Sequence, residues 1–244
     1  MELQDKNILI TGAGKRIGRA IALDLAVNGA NILIHYNSSA KDARALKSEI
    51  EAMGAKAYLC PLNLAHITLP KIRNYVKKLP VKVNVLVNSA SAFYPVPLGK
   101  INDQNWEDFM SVNLKAAVLL CQEIGLQMKK RGAGRIVNMG DLMGESPLHN
   151  FLPHSISKAG LMLATKGFAK ELAPEVLVNA VSPGPILEPP FGMSPSARKK
   201  TADATLLKRF GKPEDIAHTV RFLIETEYIT GQIIRVDGGK SIAW

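Results

Sequence analysis

Cysteine is scarce: Cys60 and Cys121 are the only two in 244 residues, far apart and each in apolar surroundings. Two such residues make no disulfide framework, so the fold is expected to rest on a hydrophobic core with buried free thiols, as in a reducing cytoplasm. No run of 18 or more apolar residues occurs, and Met1-Glu-Leu-Gln-Asp5 lacks the charged-then-apolar layout of a signal peptide. The expectation is a cytoplasmic protein with no membrane partner. Acids are short, 21 against 31 Lys and Arg, which leaves a net charge of +10. The basic excess is dispersed, with short runs only at Lys77-Lys78, Lys129-Lys130-Arg131 and Arg198-Lys199-Lys200. No aromatics interleave those runs, as a single-strand nucleic-acid platform requires. A solvated surface that also attracts an anionic small molecule is expected, with no nucleic-acid partner and no metal site.

What is present is a continuous alternation of strand and helix signals, without repeats or linkers. Hydrophobic residues make up 47% of the chain and mean hydropathy is +0.04, which suits one sizeable α/β core over residues 1–244. Strands are expected at Asn7–Thr11, Asn31–Tyr36, Lys56–Cys60, Val83–Val87, Arg135–Met139, Leu177–Val181 and Gln232–Val236. Helices are expected from Ile17 to Gly29, after Ser39 to Met53, over Ile67–Lys78, from Asn102 to about Lys130, over Pro153–Leu172 and over Pro213–Ile224. Strands this evenly apolar, alternating with helices, imply a parallel sheet covered on both faces: a single-domain, doubly wound Rossmann-type α/β fold of about seven strands. Such a sheet takes its ligand at the carboxyl ends of the strands, where the strand order switches.

The first of those ends is Thr11-Gly-Ala-Gly-Lys-Arg-Ile-Gly18. A strand that stops at a glycine turn and opens a helix directs free N–H groups and a positive dipole end at one spot, which suits phosphate. The common dinucleotide spacing needs glycine at 17, where Ile17 stands, and a Walker loop needs Gly-Lys-Ser/Thr, whereas Arg19 follows Gly18. What remains, T-G-x-x-x-R-x-G, resembles the short-chain dehydrogenase/reductase family, with Arg16 in place of its middle glycine. The resemblance extends from Asn7 to Gly239. It implies a nicotinamide cofactor near Gly12, Lys15, Arg16, Ile17 and Gly18.

The loop after the second strand, Tyr36-Asn37-Ser38-Ser39, has no acid until Asp42. An NAD-preferring site usually places Asp or Glu there; two hydroxyls, an amide, Arg16 and Lys15 suit a 2′-phosphate, so NADPH is expected. The serines could equally cap the helix. By resemblance, Asn63 and Leu64 border adenine, with Asn63 replacing an Asp, and Ser89, Ala90 and Ser91 replace the usual Asn-Ala-Gly beside the adenosine. Pro183, Gly184 and Ile186 would close over the nicotinamide, and residues 184–212 would form a substrate lid rich in Pro, Ser, Ala and Lys.

Ala90-Ser-Ala-Phe-Tyr-Pro-Val-Pro-Leu98 is most similar, within that family, to the pteridine reductases, where the aromatic matching Phe93 stacks a flat pterin. The same resemblance gives Asn113 a role on the proton path and Lys158 the nicotinamide ribose. Asp141 stands where most members have Ser, as pteridine reductases also do, while His154 occupies the place of the catalytic Tyr. A side chain at 154 and one at 158 share a helix face and can address one ligand. Lys158 would lower the proton affinity of the imidazole and Asp141 would raise it, so Asp141 and His154 could together deliver a proton. Phe93, Asp141 and His154 are the expected substrate contacts. The expected function is NADPH-dependent reduction of a pterin-like or carbonyl substrate; the alternatives are a 3-oxoacyl or carbonyl reductase and a nucleotide-binding protein whose catalysis His154 has impaired. Family members are usually tetramers joined through helices near 111–130 and 154–172, which implies a homotetramer.

Overall fold

Alternation inside each strand sets up the two layers of the molecule. In β1 (Asn7–Thr11), Ile8 and Ile10 point into one buried cluster and Leu9 into the other. The same division recurs in β2 (Asn31–Tyr36), where Ile32 and Ile34 oppose Leu33. Such strands need helices on both sides. The computed structural model, which describes residues 1–243, supplies them. One cluster packs α1 (Arg16–Val27), α2 (Ala40–Ala52) and α8 (Pro213–Glu225) on the sheet. The other packs α3 (Leu69–Lys77), α5 (Ala116–Lys130) and α6 (Leu152–Leu172) on the opposite face. Each fully buried Ile or Leu contributes roughly 1.5–3 kcal/mol, so two-sided burial is the main source of stability.

The remaining strands are β3 (Ala57–Pro61), β4 (Val85–Asn88), β5 (Gly134–Met139), β6 (Val176–Pro183) and β7 (Ile233–Val236). All pairings are parallel, and the order is β3-β2-β1-β4-β5-β6-β7. The chain builds outward from β1 to β3, then returns to lay β4 on the other side of β1, with Thr11 opposite Asn88. That return is the switch point, and the crevice above it lies between the loops leaving β1 and β4.

Several boundaries move from expectation. Helix α3 begins at Leu69, after an extended Thr68, and β6 continues to Pro183. The long helix after Asn102 is three pieces: α4 (Asp103–Phe109), a π-helical turn at Met110–Lys115, and α5. Asn102 and Asn105 form a reciprocal capping box at its start, worth about 1 kcal/mol. By length and composition alone, residues 103–130 are apolar enough to cross a membrane. In the fold Leu120, Cys121, Ile124 and Met128 spend that apolarity on the core. A helix absent from expectation, α7 (Pro195–Asp203), lies within residues 184–212; Ser194 accepts from the Ala197 amide at its start, and it buries no residue. The reading of Ser39 as a helix cap is corrected: Ser39 holds the N-cap position of α2, but its hydroxyl makes no capping bond.

Candidate active site

The glycine turn is closed by close backbone approach. Gly12 has φ +67°, and a Cβ there would lie 3.0 Å from Ala90 Cα; a Cβ on Gly18 would lie 2.4 Å from the Gly12 carbonyl oxygen. Helix α1 opens with no side-chain cap and no acid in its first turn, so its first N–H groups and positive end are left uncapped by side chains. This uncapped cradle fits a diphosphate. The Gly18→Ala protein is expected to lose about 1–3 kcal/mol of stability and most of its nucleotide affinity, because both clashing partners are backbone; thermal unfolding and nucleotide titration measure the two losses.

The flanking cations pair with acceptors on other segments. Arg16 adopts φ +52°, and its Nη2 donates to the Glu188 carbonyl oxygen at 2.7 Å, in the segment after β6. The Lys15 ammonium pairs with Asp42 at 3.1 Å. Each long side chain is thus held by an oxygen of the chain itself, Arg16 by Glu188 and Lys15 by Asp42. Glu188 also receives Arg198 Nε on its carboxylate at 2.7 Å, and the Arg198 guanidinium lies 5.5 Å from the centre of the Phe210 ring. Ser39 stays beside the turn, since a Cβ on Gly14 would stand 3.1 Å from its Oγ. Asn37 and Ser38 are exposed and Tyr36 is half-buried.

On the opposite margin, Thr11 Oγ1 accepts the amides of Ser89 at 2.9 Å and Ala90 at 3.0 Å, which fixes the loop after β4 against the end of β1. Ser91 is exposed and donates to the Ala92 carbonyl. Asn63 Oδ1 accepts the Ala65 amide at 2.9 Å, turning the chain after β3, while Leu64 is buried. Pro183 ends β6, Gly184 N–H donates to the Val236 carbonyl at 3.0 Å, and Ile186 is buried. These residues thus sit in the loops leaving β1 to β4 and β6.

The expected catalytic residues meet. His154, in the first turn of α6, is 1% exposed. Its Nε2 lies 3.3 Å from Asp141 Oδ2, and its Nδ1 lies 3.3 Å from both the Ala92 carbonyl oxygen and Asn113 Nδ2. Asn113 projects from the π-helical turn; its Oδ1 accepts the Ala92 amide at 2.7 Å, and its Nδ2 also reaches Ala92 O at 3.1 Å and Ser157 Oγ at 3.0 Å. Asp141 takes the Met143 amide on Oδ1 at 2.8 Å and keeps Oδ2 for His154. With a carboxylate facing Nε2, that nitrogen must carry a proton; Nδ1 then either accepts from Asn113 or, when also protonated, donates to Ala92 O. The Asp141 side chain is 26% exposed, so it, and not the imidazole, forms the open end of the pair. Lys158 is buried one turn along α6, donating to the Met139 carbonyl at 2.8 Å. Burial lowers its pKa to about 8, and the Asp141 carboxylate opposes that shift.

Phe93 is not alone. Its ring centre lies 5.1 Å from Phe151 and 6.1 Å from Phe191, each within 24° of parallel, and 5.0 Å from His154 edge-on. Phe93 thus packs on the His154 ring, with Phe151 and Phe191 stacked on Phe93. The sequence reading missed Phe151, Phe191 and Thr11. Phe151 had a signal, since it stands three residues before His154, immediately ahead of α6; Phe191 comes from a distant segment and had none. Among the described residues no group of three or more His, Cys, Asp or Glu is placed to hold a metal ion.

Comparison with known proteins places this geometry among relatives. A family model described as enoyl-(acyl carrier protein) reductase matches residues 12–241. A 3-oxoacyl-[acyl-carrier-protein] reductase FabG from Staphylococcus epidermidis is 35% identical over 242 residues, 96% of this chain and 98% of the relative. Among solved structures, a protein described as a gluconate dehydrogenase from Agrobacterium tumefaciens superposes with a TM-score of 0.92 at 28% identity, covering 100% of this chain and 98% of that one. The FolM alternative dihydrofolate reductase 1 of Brucella suis, in complex with NADP, superposes with a TM-score of 0.90 at 30% identity, again over 100% and 98%.

Proposed function

Because the chain belongs to the short-chain dehydrogenase/reductase family, we propose that it is an NADPH-dependent reductase of a planar, pterin-like substrate, with Asp141 and His154 supplying the proton. NADPH, when bound, would supply a hydride. The glycine turn and the start of α1 would hold its diphosphate, and Tyr36 to Ser39, free of acids, would tolerate a 2′-phosphate. The NADP complex of the Brucella relative supports this choice of cofactor. Lys158, one turn from His154, would orient the ribose.

The observation that carries the reading is the buried His154 Nε2–Asp141 Oδ2 contact beside Phe93. A doubly protonated His154 would pass its Nε2 proton to Asp141 as the carboxylate hands one to a ring nitrogen or oxygen. That would leave a neutral imidazole with its proton on Nδ1 toward Ala92 O, until solvent at the partly exposed Asp141 restores the lost one. Asn113 and the Ala92 carbonyl would hold the imidazole in plane through Nδ1 in either protonation state. Phe93 would stack the ring, with Phe151 and Phe191 excluding water.

A second reading, a 3-oxoacyl or carbonyl reductase, is favoured by the name of the Staphylococcus relative. One experiment separates them: the purified chain is given NADPH with dihydropterins, and in parallel with 3-oxoacyl thioesters, while nicotinamide absorbance is followed. Faster turnover of dihydropterins supports the first reading, and faster turnover of the thioesters overturns it for the second. NADPH binding without turnover, together with activity gained on His154→Tyr, marks an impaired catalyst instead. A homotetramer is part of the proposal; exposed Leu126 on α5 and Leu163 on α6 supply apolar surface for pairing copies.

A further inference from the structure

Strand β2 ends in Ile34-His35-Tyr36, and His35 is 2% exposed. It lies next to Cys60 of β3 in the sheet register and meets Tyr75 of α3 edge to face, ring centres 6.2 Å apart. A polar ring in such a place needs partners for both nitrogens. They come from two different loops. The Gly12 amide donates to Nδ1 at 3.1 Å, and Nε2 lies 3.0 Å from the Leu62 carbonyl oxygen. An amide only donates and a carbonyl only accepts, so the tautomer is fixed: Nδ1 is bare and Nε2 carries the proton. Gly12 opens the glycine turn, and Leu62 leads into Asn63 and Leu64. Backbone bonds reinforce the junction, from Ala13 N–H to the His35 carbonyl at 3.1 Å and from Leu62 N–H to the Tyr36 carbonyl at 3.0 Å.

We propose that His35 is a positioning residue for the dinucleotide, a buried spacer that sets the separation between the phosphate turn at Gly12 and the loop Leu62–Leu64. It touches neither substrate nor reacting atoms; it acts through the two backbones that would flank the adenosine half of the cofactor. The inference rests on the reading that this crevice takes NADPH. A rigid five-membered ring is suited to the task because its two nitrogens face opposite ways at a fixed span, which no other side chain of that size reproduces. The ring also stays neutral, because burial lowers its pKa to about 4 and the bond to Leu62 only partly opposes the shift. The titratable groups beside it are neutral too: burial raises the Cys60 thiol to about 12 and raises the Tyr75 phenol as well.

Replacement separates the two bonds. Asparagine puts an oxygen near Nδ1 and can keep the Gly12 amide; glutamine reaches the Nε2 position and can keep Leu62; leucine keeps neither. The test uses the full chain, with NADPH titrated by fluorescence, steady-state kinetics where turnover is present, and thermal unfolding without nucleotide. For His35→Leu the expected result is an NADPH Kd and KM raised about tenfold or more, with kcat at saturating NADPH within about twofold of wild type. His35→Asn and His35→Gln are expected to fall between, each retaining one bond. If His35→Leu does not fold, these two variants carry the test alone. Affinity within about twofold of wild type in the variants that fold overturns the proposal. So does a parallel fall of kcat, affinity and melting temperature, which marks a merely structural residue. A wild-type protein that binds no NADPH removes the parent reading and this inference together, whereas a wild type that binds beside indifferent variants removes this inference only.

Discussion

Asp141→Asn is expected to lower kcat by about 10²–10⁴-fold while leaving NADPH affinity within about twofold. The substitution keeps shape, so the argument is about protons. In the native site Oδ1 accepts from the Met143 amide and Oδ2 faces His154 Nε2. The Met143 amide requires an oxygen, so the new carboxamide must turn its NH2 toward His154. Nε2 then becomes an acceptor, and the imidazole proton moves to Nδ1, where the Ala92 carbonyl can take it. The ring stays in place in the wrong tautomer, and the residue at the open end no longer has a labile proton to give. Steady-state kinetics with a parallel nucleotide titration measures both halves; a kcat within about tenfold of wild type removes Asp141 from the proton path.

Lys158→Met is expected to raise stability and abolish turnover. The side chains are similar in length, and the site is buried. The native ammonium resists burial: its pKa falls from 10.5 to about 8. A lysine with a depressed folded pKa contributes full stability only above its unfolded value, and that contribution is lost as pH falls through about 8. At neutral pH the charged group therefore weighs against folding, by an amount of order 3 kcal/mol. Methionine removes that burden but leaves the Met139 carbonyl without its donor, a loss of about 1 kcal/mol or more. The net expectation is a gain of about 1–2 kcal/mol at pH 7 that fades as pH approaches 10.5. Turnover falls because the cation beside Asp141, the one proposed to orient the ribose, is gone. Denaturant unfolding at pH 7 and pH 10, alongside activity, decides it; a variant less stable than wild type at pH 7 refutes the electrostatic account.

What could be read from the chain alone was whatever depends on neighbours in sequence. The stretch Asn7 to Gly18 gave strand, turn and helix because apolar alternation, glycine and helical spacing follow one another without a gap. The sheet followed from the same signals repeated, and the residues His154 and Lys158 were paired by helix periodicity. Features that depend on remote partners stayed hidden. Helix α7 buries nothing, so it leaves no periodic trace in Pro195-Ser-Ala-Arg-Lys-Lys200. The π-helical turn shifts register by one residue at Met110–Lys115, too little to break an apolar pattern, yet it aims Asn113 at His154. Arg16 and Lys15 have long flexible side chains, and which oxygen each reaches is settled by tertiary placement of Glu188 and Asp42. The trio of Phe93, Phe151 and Phe191 assembles from three separate segments.

The span from Arg16 to the Glu188 carbonyl couples two margins of the crevice. One guanidinium ties the shore where a coenzyme would berth to the flap that would roof its reaction partner, and Arg198 moors the same glutamate from the flap's own helix. Any swing of the flap therefore has to break that tie or carry the shore along with it.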